Sequence, residues 1–169
     1  MGREHPWSGR HLLPGVAAVN PESGSNSILL IEDNPVDLDL TLRAFVKRKL
    51  TNPVTVVRDG AAALEWIPRW ESGEPWPSLI LLDLKLPKVD GLEVLRQIKT
   101  HPHLRAIPVV VLTTSNEDLD IHNAYRLGAN SYIVKPTDFG QFIEIAAQIE
   151  LYWCVLNKSL PPSVKGGAV

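Results

Sequence analysis

The sequence predicts an α/β protein in which helices cover both faces of a parallel β-sheet. Two observations lead to this fold class. First, short apolar runs alternate along the chain with longer segments that carry helical start and stop signals. Second, these runs are apolar at nearly every position, as in strands that are covered on both sides. Strict alternation of strands and helices then gives a parallel, doubly wound sheet.

The five expected strands are short and rich in Leu, Ile and Val. They cover residues 27–31, 54–57, 79–82, 109–112 and 132–134. Only Arg58 and Asp59 follow the second run, so we expect that strand at an edge of the sheet. Ligands of such sheets bind at the carboxyl ends of the strands, where polar residues therefore matter most.

Helices are expected after each strand. They cover residues 35 to about 49, 60–70, about 91–101, 116–127 and 138 to about 156. Asn34 and Pro35 supply an N-cap and a first-turn proline for the first of them. Gly128 offers a left-handed C-cap for the fourth.

The ends of the chain differ from its middle. Residues 1–26 and 157–169 contain many Gly and Pro residues and no regular apolar period. We therefore predict a flexible N-terminal extension over 1–26, one domain over 27–156 and a C-terminal tail over 157–169.

The composition excludes several classes of function. The 17 basic and 19 acidic residues give a formal net charge of −2, without the basic excess typical of nucleic-acid binding. The single cysteine, Cys154, rules out an internal disulfide and fits a reducing compartment. No apolar run reaches the roughly 18 residues that span a bilayer, and the N-terminus lacks a secretion signal. We expect a cytoplasmic protein that binds neither nucleic acid nor membrane.

The residues that follow the first, third, fourth and fifth expected strands form a candidate site. They are Glu32 and Asp33 after the first, Asp83 after the third, Thr113, Thr114 and Ser115 after the fourth, and Lys135 and Pro136 after the fifth. Singly, each has an ordinary explanation, such as a helix N-cap, a strand-end hydroxyl or a solvated loop charge. Together, three carboxylates at one rim repel each other and favour a hard divalent cation, for which Mg²⁺ suits the oxygen ligands.

Four segments of the chain resemble the receiver domain of two-component response regulators. They are ILLIEDN (28–34), LILLDLKLPKVDG (79–91), VVVLTTS (109–115) and SYIVKP (131–136). The resemblance covers about residues 27–156 and implies a flavodoxin-like sheet of order 2-1-3-4-5 with five flanking helices. The Glu-Asp pair, the DLxLP segment and the helix ending QIELYWCVLNKSLP are similar to single-domain regulators paired with cyanobacterial and bacterial phytochromes.

The resemblance implies that Asp83 accepts a phosphoryl group from a histidine kinase, here one of the phytochrome type. Glu32, Asp33, the Asp83 carboxylate and the main-chain carbonyl of Lys85 would hold Mg²⁺. Glu32 departs from the aspartate more common in the family. Its longer side chain leaves room for a water or a basic group beside the metal, so Asp33 is expected as the direct ligand.

The resemblance also implies roles for residues after the fourth and fifth strands. Thr113 and Lys135 would stabilise the negative charge of the transferring phosphoryl group. Lys85 and Ser115, each two residues beyond a site residue, would flank the path of an attacking water and set the lifetime of the phosphoryl group.

A conformational switch is implied as well. Thr113 would move inward after phosphorylation and Tyr132 would rotate, which alters the face formed by the fourth helix, the fifth strand and the fifth helix. The family further implies a cis Lys135–Pro136 peptide bond.

The last helix carries two apolar stripes. One comprises Phe142, Ile145, Ile149 and Trp153, and the other comprises Phe139, Ile143, Ala147, Leu151 and Cys154. A helix that is apolar on two sides must bury both. One stripe is expected on the sheet and the other against a second copy or the kinase. We predict a homodimer through this helix, its trailing segment and the fifth strand.

Three other interpretations of the sequence compete with an active receiver. Residues 37–41 spell the DxDxT pattern of haloacid-dehalogenase-type phosphatases, but Asp37 lies inside a helix and not after a strand, so we interpret it as a coincidence on a helix surface. A flavodoxin-like nucleotide-binding module would need a phosphate-cradling loop. A degenerate receiver that acts only as an interaction scaffold is the remaining alternative. In either receiver interpretation we expect no enzyme with turnover on a free substrate.

Overall fold

A five-stranded parallel sheet in the order β2-β1-β3-β4-β5 forms the centre of the molecule. The structure is a computed structural model that describes residues 26–158. The strands are β1 Ile28–Ile31, β2 Val54–Val57, β3 Leu79–Leu82, β4 Val109–Thr113 and β5 Ser131–Val134. The predicted fold class and strand order are confirmed, with β2 at one edge and β5 at the other.

Helices follow every strand, as the sequence predicts. They are α1 Pro35–Lys47, α2 in two pieces (Gly60–Leu64 and Trp66–Glu71), α3 Gly91–Thr100, α4 Asp118–Arg126 and α5 Phe139–Ile149. The break in α2 has a local cause, because Pro68 has no backbone N–H with which to continue the helical hydrogen bonds. A short 3₁₀ turn, Leu104–Ala106, precedes β4.

Two helix ends form as their residues predict. The side chain of Asn34 accepts hydrogen bonds from the backbone N–H groups of Val36 and Asp37, at 2.9 and 3.2 Å. These are donors that the first turn of a helix leaves without a partner. Gly128 has a φ of +99°, a conformation that favours glycine, and stops the chain after α4.

Each central strand contributes to two cores. Ile28 and Leu30 of β1 face one side, where they pack with Phe45 of α1 and Phe142 of α5. The alternate residues of the strand face the other side, where helices α2, α3 and α4 cover them. Because both faces are buried, the strands must be apolar at every position, which explains the continuous apolar runs.

The last helix extends to Leu156, as the sequence predicts, and changes form in its final turns. The α-helix ends at Ile149, and residues Glu150–Leu156 continue as a wider π-helix. At its end the N–H of Asn157 donates to the carbonyl of Tyr152, five residues earlier, at 2.7 Å. Leu151, Val155 and Leu156 are exposed on this segment.

The predicted N-terminal extension and C-terminal tail fall almost wholly outside the described residues. Only residue 26 of the extension and residues 157 and 158 of the tail belong to the part of the chain that the structure describes. Within that part, the helices are too short or too polar to cross a membrane.

Candidate functional site

The carboxyl ends of four strands bring the predicted site residues together at one rim. Glu32 follows β1, Asp83 follows β3, Thr113 ends β4 and Lys135 follows β5. Their exposed fractions are only 2%, 5%, 0% and 6%. Charged residues are rarely buried this deeply unless they are paired. The predicted convergence of carboxylates, a hydroxyl and an ammonium is confirmed.

Lys135 contacts three carboxylates in this cluster. Its Nζ lies 2.9 Å from Asp83 Oδ2 and 3.0 Å from Asp37 Oδ2, and it also donates a hydrogen bond to Glu32 Oε2. Burial disfavours the ammonium, but the charges of Glu32 and Asp83 outweigh burial and raise the pKa of Lys135. The side chain is therefore a fixed positive charge at neutral pH.

Asp83 is held in its ionised form. Burial opposes the charge, but the ammonium of Lys135 and hydrogen bonds from the Thr113 hydroxyl and the Lys85 N–H keep the pKa of Asp83 below its usual value. The Lys85 N–H donates to Asp83 Oδ1 at 3.2 Å, while Oδ2 faces Lys135. An ionised carboxylate with both oxygens oriented is a competent nucleophile.

Glu32 differs from Asp83 although the two carboxylates share the same cation. Burial raises the pKa of Glu32 to about 7, against the opposing effect of Lys135. Its Oε1 accepts from the Asn34 N–H at 3.0 Å and its Oε2 accepts from Lys135. Glu32 thus has a basic group beside it, as its longer side chain allows.

Three carboxylates of the rim fit a divalent cation. One oxygen each from Glu32, Asp33 and Asp83 lies within 4.8 Å of the others. All the donors are hard oxygen atoms, and two of the three residues are buried. A small set of oxygen ligands suits Mg²⁺ better than a calcium cage or a soft-metal site.

Close backbone packing fixes the loop that follows Asp83. A Cβ on Gly91 would lie 2.3 Å from the Asp83 carbonyl oxygen, and a Cβ on Gly60 would lie 1.9 Å from the Val89 carbonyl oxygen. Lys88 adopts a φ of +66°, and its Nζ lies 2.6 Å from Asp59 Oδ2. The loop is therefore clamped between α2 and α3, which holds the Asp83 backbone in place.

Residues 28–147 match the model of the response regulator receiver domain. This range contains every strand and all four segments quoted above. The chain belongs to the response regulator receiver family. As a receiver domain it is part of a two-component system.

Named relatives and solved structures agree with this assignment. The probable methanogenesis regulatory protein FilR2 of Methanothrix harundinacea is 47% identical over 137 residues, which cover 80% of this chain and 88% of FilR2. Response regulator Rcp1 of Synechocystis sp. is 40% identical over 128 residues, which cover 75% of this chain and 87% of Rcp1.

The crystal structure of the Mn²⁺-bound form of Rcp1 superimposes with a TM-score of 0.74 at 36% identity, covering 80% of this chain and 99% of that chain. The phosphorylated cyanobacterial phytochrome response regulator RcpA superimposes with a TM-score of 0.73 at 39% identity, covering 79% of this chain and 97% of that chain. The predicted resemblance to phytochrome response regulators is confirmed.

The predicted switch and lifetime residues of the receiver lie in one network beside Asp83. The Tyr132 hydroxyl donates to the Ser115 carbonyl oxygen at 3.0 Å. The Ser115 hydroxyl donates to Asp120 Oδ2 at 2.5 Å, and Lys85 Nζ lies 3.3 Å from the same oxygen. Asp120, in the first turn of α4, thereby joins two residues whose roles the sequence predicts.

Sequence reasoning missed two carboxylates of the site, Asp37 and Asp120. Asp37 lies inside α1 and not after a strand, as the sequence predicts, but the contact of its carboxylate with Lys135 Nζ at 3.0 Å was not predicted. Both residues lie in the first turn of a helix that begins at the carboxyl edge of the sheet. An acidic residue in such a turn is a usable signal, because its side chain is next to the rim.

The implied cis Lys135–Pro136 peptide is not present. Every peptide bond within residues 26–158 is trans. Proline only reduces the preference for the trans form and does not abolish it.

Proposed function

We propose that Asp83 accepts a phosphoryl group from a histidine kinase, in a reaction that depends on Mg²⁺, and that the receiver then signals through protein contact. The observation that carries this proposal is the buried contact between Asp83 and Lys135. It keeps the carboxylate ionised and places a positive charge where the phosphoryl oxygens would arrive. Phosphoryl transfer needs this positioning and charge more than it needs covalent help from the protein.

The transfer replaces one bond to phosphorus with another. A carboxylate oxygen of Asp83 forms a bond to phosphorus while the P–N bond of the kinase's phosphohistidine breaks, and the electron pair of that bond stays on the imidazole. Lys135, whose Nζ contacts Asp83 Oδ2, and the Thr113 hydroxyl at the same rim would donate to the phosphoryl oxygens. Asp83 becomes an acyl phosphate, and no other covalent bond of the receiver changes.

The metal site is part of the proposal. Glu32, Asp33, Asp83 and the main-chain carbonyl of Lys85 would hold Mg²⁺, of which the first three are clustered at the rim. The cation supplies positive charge that neutralises the phosphoryl oxygens. The Mn²⁺-bound form of Rcp1 supports a divalent ion in this family.

The proposed output begins at Thr113 and Tyr132. A hydroxyl that turns toward a new dianionic group would leave its bond with the Ser115 N–H, now 3.3 Å long. Tyr132 is tied to the carbonyl of the same Ser115, so a shift there reaches β5 and α4. We propose that this biases the face formed by α4, β5 and α5.

The partners follow from the relatives and from the exposed end of α5. Similarity to Rcp1 and RcpA supports a kinase of the phytochrome type, and the single cysteine supports a cytoplasmic location.

A groove of about 390 Å³ runs between the edge strand β5 and the last helical turns. Its apolar lining includes Ile133, Ile145, Ile149 and Trp153. We propose that a second copy covers this face.

Phosphorylation is tested by intact mass. The full chain is incubated with Mg²⁺ and a small acyl-phosphate donor, or with phosphorylated kinase, next to the variant Asp83→Asn. We expect a gain of one phosphoryl group in the parent, lost in the variant and lost when Mg²⁺ is chelated. If neither donor labels the parent, the phosphoacceptor proposal falls and the interaction scaffold takes its place.

Dimerisation is tested separately by sedimentation of the parent and of Leu151→Glu, with and without the phosphoryl donor. Leu151 is 55% exposed, so a charge there does not disturb the core. We expect a dimer that Leu151→Glu weakens. A parent that remains monomeric at high concentration, phosphorylated or not, contradicts the dimer.

A further inference from the structure

We propose that Asp120 is a positioning residue that ties Lys85 to Ser115 across the phosphoryl site and thereby lengthens the lifetime of the phosphoryl group. The inference rests on the proposed function, because it concerns the regulation of the same Asp83. It assigns a role to a carboxylate of α4 that touches neither Asp83 nor the metal cluster.

The bridge is made by one oxygen atom. Asp120 Oδ2 accepts from the Ser115 hydroxyl at 2.5 Å and lies 3.3 Å from Lys85 Nζ. The side chain of Asp120 is only 16% exposed, whereas that of Lys85 is 57% exposed. The hydrogen bond from Ser115, with help from Lys85, keeps the pKa of Asp120 below its usual value, so the bridge is charged at neutral pH.

The two arms of the bridge reach residues on either side of Asp83. On one side, the Lys85 N–H donates to Asp83 Oδ1 at 3.2 Å. On the other side, Ser115 follows β4 at the same rim and is buried. Asp120 therefore joins the loop after β3 to the loop after β4 through side-chain contacts that do not depend on the Thr113 hydroxyl.

The proposed function places hydrolysis of the phosphoryl group beside this bridge, because residues 85 and 115 would flank the path of the attacking water. In hydrolysis a water oxygen forms a bond to phosphorus, the bond from phosphorus to the Asp83 oxygen breaks and its electron pair returns to the carboxylate, and the proton of the water goes to the departing inorganic phosphate. A lysine held by Asp120 would stay beside this path, whereas a free lysine side chain samples many rotamers and leaves it open.

The experiment measures decay of the phosphorylated full chain. After labelling, the donor is removed and the phosphoryl group is followed by intact mass in the parent, Asp120→Asn and Asp118→Asn. Asp118 is an exposed acid in the same first turn, so it controls for loss of one charge. We expect decay to accelerate about three-fold in Asp120→Asn, a modest factor because one arm is an exposed ion pair, and to stay unchanged in Asp118→Asn.

A second pair of variants shows whether Asp120 acts through Lys85. In a Lys85→Met background, Asp120→Asn is expected to add nothing, because the arm that it holds is already absent. Ser115→Ala tests the other arm and replaces Asp120→Asn if that variant does not fold. A decay rate equal to or slower than the parent's in Asp120→Asn, or an undiminished effect in the Lys85→Met background, overturns the bridge. A parent that takes up no phosphoryl group refutes the proposed function itself, which is a different result.

Discussion

Two lysines lie at opposite edges of the same sheet, Lys135 buried and Lys99 half-buried. They show how the surroundings of an ammonium group determine its pKa. Lys135 lies at the carboxyl edge and contacts three carboxylates. Lys99 lies at the amino edge, where its Nζ donates to the Arg105 and Ile107 carbonyls and to Asn130 Oδ1, at 3.1, 2.7 and 2.9 Å. Its acceptors are all uncharged.

The two ammonium groups respond to burial in opposite ways. Burial without an opposite charge lowers the pKa of Lys99 to about 8. Around Lys135 the same burial is outweighed by Glu32 and Asp83, and the pKa rises. Hydrogen bonds to carbonyls satisfy a donor but leave most of the cost of desolvating a charge.

The comparison separates a lysine that holds backbone segments together from one that holds charged side chains together. Lys99 joins the end of α3 to the segments that precede β4 and β5, and so it holds backbone. Lys135 holds side-chain charges that would otherwise repel each other. A cluster of ionisable groups with shifted pKa values at the carboxyl edge is where function is expected in such a sheet.

The largest expected effect is on the rate of phosphorylation when the Lys135 ammonium is removed, with removal of the Lys99 ammonium as the comparison. Lys135→Met should slow phosphorylation of Asp83 by roughly 100-fold, because one preorganised charge is lost from the transfer site. Lys99→Met makes the same chemical change at the other edge and should leave the rate within about two-fold. Initial rates of labelling with the acyl-phosphate donor measure both. Equal losses from the two variants would contradict the comparison.

A smaller effect is expected on stability at alkaline pH. Lys99 has a pKa of about 8 in the folded chain and an ordinary value of 10.5, so the unfolded chain binds more protons between these values. Its contribution therefore makes the free energy of unfolding rise with pH from about 8 to 10.5. After discounting for partial exposure we expect a rise of about 1 kcal/mol.

Urea unfolding of the parent and of Lys99→Met across this range measures the rise as a difference between two pH profiles. Groups that titrate equally in both proteins cancel. Parallel profiles would mean that Lys99 keeps its ordinary pKa and that the contrast with Lys135 is wrong.

The smallest expected effect concerns Asp37, the most exposed carboxylate on Lys135, with 21% of its side chain exposed. Asp37→Asn should speed phosphorylation about three-fold at low salt, because an anionic donor then meets one negative charge fewer. Asp39→Asn, in an exposed pair with Arg43 on the same helix, is the control. The difference should shrink as ionic strength rises, and a salt-independent change would point to a structural cause.

Much of the fold could be predicted because its signals are local. The strands need continuous apolar runs. The Asn34 side chain caps the helix that starts at the next residue, and Gly128 adopts a positive φ directly after α4. Such features depend on neighbours in the sequence, so they are visible there. The end of the last helix near Leu156 is confirmed, but its π-helical form after Ile149 has no local signal and could not be predicted.

The candidate site divides in the same way. Asp83, Thr113 and Lys135 follow apolar runs and can be assigned to the rim from the sequence alone. Asp37 and Asp120 could not, because their partners lie 98 and 35 residues away along the chain. A side chain in the first turn of a helix reaches the rim only if a residue from a neighbouring strand lies within contact distance. That distance is set by the folded structure.

The sequence by itself therefore determined the architecture, the edge of the sheet that carries the chemistry and the family. Only the tertiary structure decided which charged groups meet. Lys135 contacts three carboxylates, and Asp120 joins Lys85 to Ser115. The pKa of Glu32 is about 7, while the pKa of Asp83 is lowered. The physical reason is that periodicity and capping are set by adjacent residues. Desolvation and Coulomb energies depend instead on distances between atoms that the folded chain alone brings together.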